Sequence, residues 1–97
     1  MFISQVIFES EKENMEIMKQ IMLKKETSTE NVAGLLSCEC WWKEGNTVGF
    51  AFVTKWNSKE DFQKWLKDSH KDGHQKGKQN IQIKKTVYQF DYIDTIL

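Results

Sequence analysis

The sequence predicts an α+β domain, an antiparallel sheet with two helices on one of its faces. Three observations lead there. Apolar residues alternate with period two in four separate stretches. Two further stretches switch to a period near 3.6, and together they run strand, helix, strand, strand, helix, strand. Ninety-seven residues form a single domain, 1–97, with one core.

The first strand spans 2–8. Phe2, Val6 and Phe8 lie in one phase and Ile3 and Ile7 in the other, so both faces of the strand must be covered. Ser4 and Gln5 interrupt the pattern, one on each face. Over 10–25 the period becomes helical, with Met15, Met18, Ile21, Met22 and, less well, Ile17 opposing Glu11, Lys12, Glu16, Lys19 and Lys24. Ser10 and Glu13 fit a capping box. Thr27, Ser28 and Thr29 end the helix, because their hydroxyls compete for backbone partners.

The second strand, 34–43, puts Leu36, Cys38, Cys40 and Trp42 in one phase. Glu44-Gly45-Asn46 is a tight turn, and 47–56 returns with Val48, Phe50, Phe52 and Thr54 alternating against Gly49, Ala51 and Val53. Asn57 caps the second helix with Glu60 closing the box, and Phe62, Trp65 and Leu66 form its apolar stripe. Past Asp68 the chain is polar, with Gly73 as the stop. From residue 81 a last strand carries Tyr88, Phe90 and Tyr92 in one phase and Val87 and Ile93 in the other.

This order is the split βαβ arrangement of the ferredoxin-like fold. The helices cover one face of the sheet, while the other still bears large apolar side chains. A second copy of the chain is the economical cover, so an isologous homodimer is expected.

Composition excludes several classes of partner. Fourteen basic residues balance 14 acidic ones, giving no field that favours nucleic acid or an anionic membrane. Apolar runs are too short for a membrane span, and Met1 leads directly into strand-like sequence, so a cytoplasmic protein is expected. Cys38 and Cys40 share one strand face, which suits packing better than a local disulfide. A lone C-x-C is a poor zinc signal. No phosphate loop, nucleophile elbow or metal-spaced cluster is present in the sequence. Four tryptophans and six phenylalanines in so small a domain exceed what a core needs, and point to a ligand pocket, a subunit interface, or both.

The segment richest in chemistry is Trp56-Asn57-Ser58-Lys59-Glu60-Asp61-Phe62-Gln63-Lys64-Trp65, with His74 nine positions on. An indole and an imidazole delivered by one short segment suit a pocket for a flat aromatic ligand. Nine residues at about 100° each put His74 half a turn from Trp65 on a continuous helix. The two share a pocket only if the helix breaks in the polar run 68–73. His70, five positions after Trp65, is the competing imidazole.

Together with Glu30-Asn31-Val32-Ala33-Gly34-Leu35-Leu36 and Phe52-Val53-Thr54-Lys55-Trp56, this segment resembles the antibiotic biosynthesis monooxygenase (ABM) family of dimeric α/β barrels, in particular its heme-degrading monooxygenases. The likeness is best over 31–74, and its most specific part is W-x-S-x-x-x-F-x-x-W. It implies heme bound between sheet and helices, with His74 as the iron ligand and Trp65 ruffling the porphyrin. Phe62 joins them in the cofactor-binding set. Where the family has an asparagine on the first strand, hydrogen-bonding towards iron-bound oxygen, this chain has Gln5 at the equivalent site. The implied function is a heme-binding monooxygenase that degrades heme with O2 and an external electron donor. Two alternatives stay open: a cofactor-free monooxygenase of a phenolic substrate, and a non-catalytic ligand-binding dimer of the same fold. Lys67, Lys71, Lys76 and Lys78 stand near enough in sequence to meet heme propionates, although Asp68 and Asp72 interleave with them.

Overall fold

Ten residues, Phe2–Glu11, form the first strand, β1. The computed structural model describes residues 1–72, 81–91 and 93. After a single 3₁₀ turn at Lys12–Asn14 come helix α1 (Met15–Thr27) and strands β2 (Leu35–Glu44) and β3 (Thr47–Trp56), then helix α2 (Lys59–Asp72) and strand β4 (Lys84–Asp91). The four strands make one antiparallel sheet in the order β2-β3-β1-β4, and both helices pack on the same face of it. This is the expected ferredoxin-like α+β fold.

Strand register assigns the faces. Phe2, Ser4, Val6 and Phe8 of β1 pair with Trp56, Thr54, Phe52 and Phe50 of β3, and these rows look towards the helices. Met18 is fully buried against Phe8, Val48, Phe50 and Phe52, with Met15, Ile21 and Met22 around it. The methionine stripe is therefore the core-facing side of α1. Each fully buried large side chain contributes on the order of 1.5–3 kcal/mol of hydrophobic stabilisation. A second cluster, Phe2, Trp56 and Phe62, joins α2 to the far end of the sheet.

Three local expectations are corrected. Ser10 does not cap α1: its hydroxyl donates to the Gln82 carbonyl at 2.9 Å and accepts from Asn14 Nδ2. This keeps Ser10 in the strand and delays the helix to Met15. The box at α2 is Ser58 with Asp61, one residue later than Asn57 with Glu60. A register shift between Leu35 and Ser37 turns Leu35 into the core and leaves Leu36 exposed, so Leu36 leaves the phase of Cys38, Cys40 and Trp42.

Helix α2 is continuous through Asp72. The break expected over 68–73 is thus absent up to that residue, and the stop at Gly73 lies outside the described residues.

Candidate functional site

The position of Trp65 is set by how α2 begins. The Asp61 amide donates to Ser58 Oγ at 3.2 Å, and that hydroxyl donates to Asp61 Oδ2 at 3.1 Å, closing the first turn. The Asn57 amide donates to the Gly34 carbonyl at 2.8 Å, tying the helix entry to the start of β2. Gly34 has φ +84, and a Cβ there would strike the Asp61 carboxylate, so only glycine lets the two segments approach this closely.

From that anchor, Phe62 and Trp65 stand three residues apart on one helix face. Phe62 is 6% exposed and packs 5.1 Å from Phe2 and 5.7 Å from Trp56, measured between ring centroids. Trp65 lies 5.4 Å from Trp56 and 6.3 Å from Phe62 and is half-buried, so part of its ring remains accessible. Trp56 itself is fully buried, and its Nε1 donates to Thr54 Oγ1 at 2.8 Å.

Phe62 is therefore a core residue that backs Trp65, and offers almost no surface to a ligand. Gln5 also needs correcting. It pairs with Val53 and Tyr88, on the face away from both helices. With the sheet between them, Gln5 and Trp65 do not meet in one hollow. The β1 side chains on the helix side are Ser4, 3% exposed, and Val6, half-buried. His74 lies outside the described residues, as does the side chain of His70.

A feature missed by sequence reasoning is the helix-side surface of β4. Val87 pairs with Val6 and is 49% exposed, while Val6 and Trp65 pack against the same core cluster. Among the described residues the helices leave Val87 open on this face, beside half-buried Val6. The signal was available, since Val87 lies in the phase opposite Tyr88 and Phe90. Two open hollows lie at the other end of the sheet, one beside Met15, Gly45 and Val48, the other beside Ser10, Gln82 and Ile83.

The cysteines sit on the helix side of β2, packed against the main core cluster. Burial, aided by neighbouring Cys38 and Glu26, pushes the Cys40 thiol up to about 12, so it is a neutral packing group at ordinary pH. Among the described residues no cluster of three or more His, Cys, Asp or Glu could hold a metal ion. No helix among them is long and apolar enough to cross a membrane. On the opposite face Glu9 accepts from Lys43 Nζ at 2.8 Å and Thr47 Oγ1 at 3.3 Å. The Lys43 hydrogen bond holds its carboxyl below the usual range. That face also presents Ile3, Ile7, Val53, Tyr88, Phe90 and Trp41, the last 63% exposed.

The chain matches no known protein-family model and no curated protein sequence. Solved structures do match its fold along nearly the whole length. The heme-degrader MhuD of Mycobacterium tuberculosis, with two hemes bound in its active site, superposes with a TM-score of 0.73 at 17% identity, covering 99% of each chain. A dimeric ferredoxin-like protein from an uncultured marine organism gives 0.75 at 17% identity, over 100% of this chain and 99% of that one. A candidate antibiotic biosynthesis monooxygenase from Deinococcus radiodurans gives 0.60 at 14% identity, over 100% and 99%. The neighbours in fold thus include a heme degrader and a candidate antibiotic biosynthesis monooxygenase.

Proposed function

We propose that this chain is a heme-binding protein of the heme-degrading monooxygenase type, with the macrocycle seated on the Val6–Val87 strip beside Trp65. The observation that carries the reading is the half-buried indole of Trp65. It is held by Trp56 and Phe62 and packs, like Val6, against the main core cluster, and the β4 partner of Val6, Val87, is exposed. A flat apolar ligand needs that combination of one rigid aromatic wall and an exposed aliphatic floor. The fold shared with a protein that binds two hemes adds support.

In this reading Trp65 presses on the ligand plane, Phe62 keeps the indole from yielding, and Val6 and Val87 exclude water beneath it. His74 holds the iron through a neutral ring nitrogen. Bound heme supplies the oxygen activation, with electrons from an external donor. A second copy of the chain covers the Ile3, Ile7, Val53, Tyr88 and Phe90 face, making a dimeric α/β barrel; a ferredoxin-like neighbour in fold is itself dimeric.

One observation favours a second reading. Gln5 faces away from the helices, so the only amide on the first strand is not available to a ligand held beside Trp65. Heme, or another flat aromatic, would then be bound without turnover.

Hemin titration followed by absorbance tests both. A saturable Soret band at one heme per chain, weakened by His74→Ala, is expected. Ascorbate in air bleaches the band if the protein degrades heme and leaves it intact if it only binds. No saturable band overturns the heme reading.

A further inference from the structure

We infer that Lys25 and Lys85 form an anion site that receives a carboxylate of the ligand lying on the Val6–Val87 strip. Three placements carry this. Lys25 Nζ stands 5.2 Å from the centroid of the Phe8 ring. Lys85 is the β4 partner of Phe8, on the same sheet face, and its charge is felt at Lys25. Phe8 and Lys85 are the next helix-side pair along from Val6 and Val87, about 7 Å away at the rise of a strand. A flat ligand on the strip thus reaches both cations with a short acidic arm.

Neither lysine forms an ion pair among the described residues. The neighbouring acid on α1, Glu26, acts on Cys40 instead. Burial and the charge of Lys85 both disfavour the Lys25 ammonium. Two like charges held together with no acid between them form a site that a carboxylate relieves, through charge-assisted hydrogen bonds. These are not the lysines near the end of α2 that the sequence brings to mind. Lys84, one residue from Lys85, turns to the opposite face beside Glu9 and serves as a control.

The inference deepens the heme reading and rests on the same strip, but a probe without metal tests it separately. Fluorescence titration compares 1-pyrenebutyrate with its uncharged methyl ester. The acid is expected to bind about tenfold more tightly than the ester in low salt. Lys25→Gln and Lys85→Gln each shrink that preference, the double variant abolishes it, Lys25→Arg restores it, and Lys84→Gln leaves it unchanged. Equal affinities for the two probes, binding of neither, or a preference that survives in the double variant overturns the site. Hemin titrated in parallel separates the two claims. Loss of the acid preference with hemin binding intact removes the anion site alone, and an acid preference without hemin binding removes heme alone.

Discussion

The rings of Trp56 and Trp65 lie 5.4 Å apart, tilted by 39°, one fully buried at the end of β3 and the other half-buried on α2. The contact links core to candidate site. Trp56, fixed by its hydrogen bond to Thr54, is the surface against which the accessible indole is held.

The two tryptophans therefore differ in what their loss does. Trp56→Ala should cost about 3–5 kcal/mol in urea unfolding, since it empties a filled core and strands the Thr54 hydroxyl. Trp65→Ala should cost only about 1–2 kcal/mol, in line with its partial burial. Equal costs would mean that Trp65 is ordinary core.

Gly34→Ala should destabilise by about 1–2 kcal/mol from its left-handed backbone alone, with more added by the clash against Asp61. Thermal unfolding checks this, and a variant as stable as the parent would contradict the anchoring of α2 to the start of β2.

Cys40 makes a pH-dependent prediction. Its folded pKa is raised, from 9.0 to about 12, so its contribution to stability is full below pH 9 and is lost as pH climbs towards 12. At pH 8, in a Cys38→Ser background, iodoacetamide should modify Cys40 at least about tenfold more slowly in the native protein than in urea. Equal rates would show an accessible, reactive thiol.

The open sheet face predicts self-association. Analytical ultracentrifugation should give twice the 11.5 kDa chain mass, and Val53→Asp should return the protein to monomer. A monomeric parent would contradict the dimeric barrel.

Much of this fold was legible because alternation is a strong signal where one sheet face is buried. The row Val48, Phe50, Phe52, Thr54 and both ends of β3 follow directly from it. The methionine stripe of α1 was equally plain. What the sequence hid were choices between residues of equal local merit. Ser10 suits a cap or a strand, and a carbonyl 72 residues away decides it. Leu35 and Leu36 are both apolar, and a register shift selects Leu35 for the core. Gln5 was assigned correctly to the phase of Ile3 and Ile7. Which phase looks at Trp65 depends on where the helices pack, and the pattern of β1 alone does not carry that.

The central claim is that the ligand lies on the helix side of the sheet, and paired substitutions on its two faces test it most directly. Hemin affinity should fall at least tenfold in Val87→Asp, where a carboxylate enters an already exposed position on the strip, and stay within about twofold in Gln5→Ala. Unchanged affinity in Val87→Asp together with loss in Gln5→Ala would move the site to the opposite face and contradict the account.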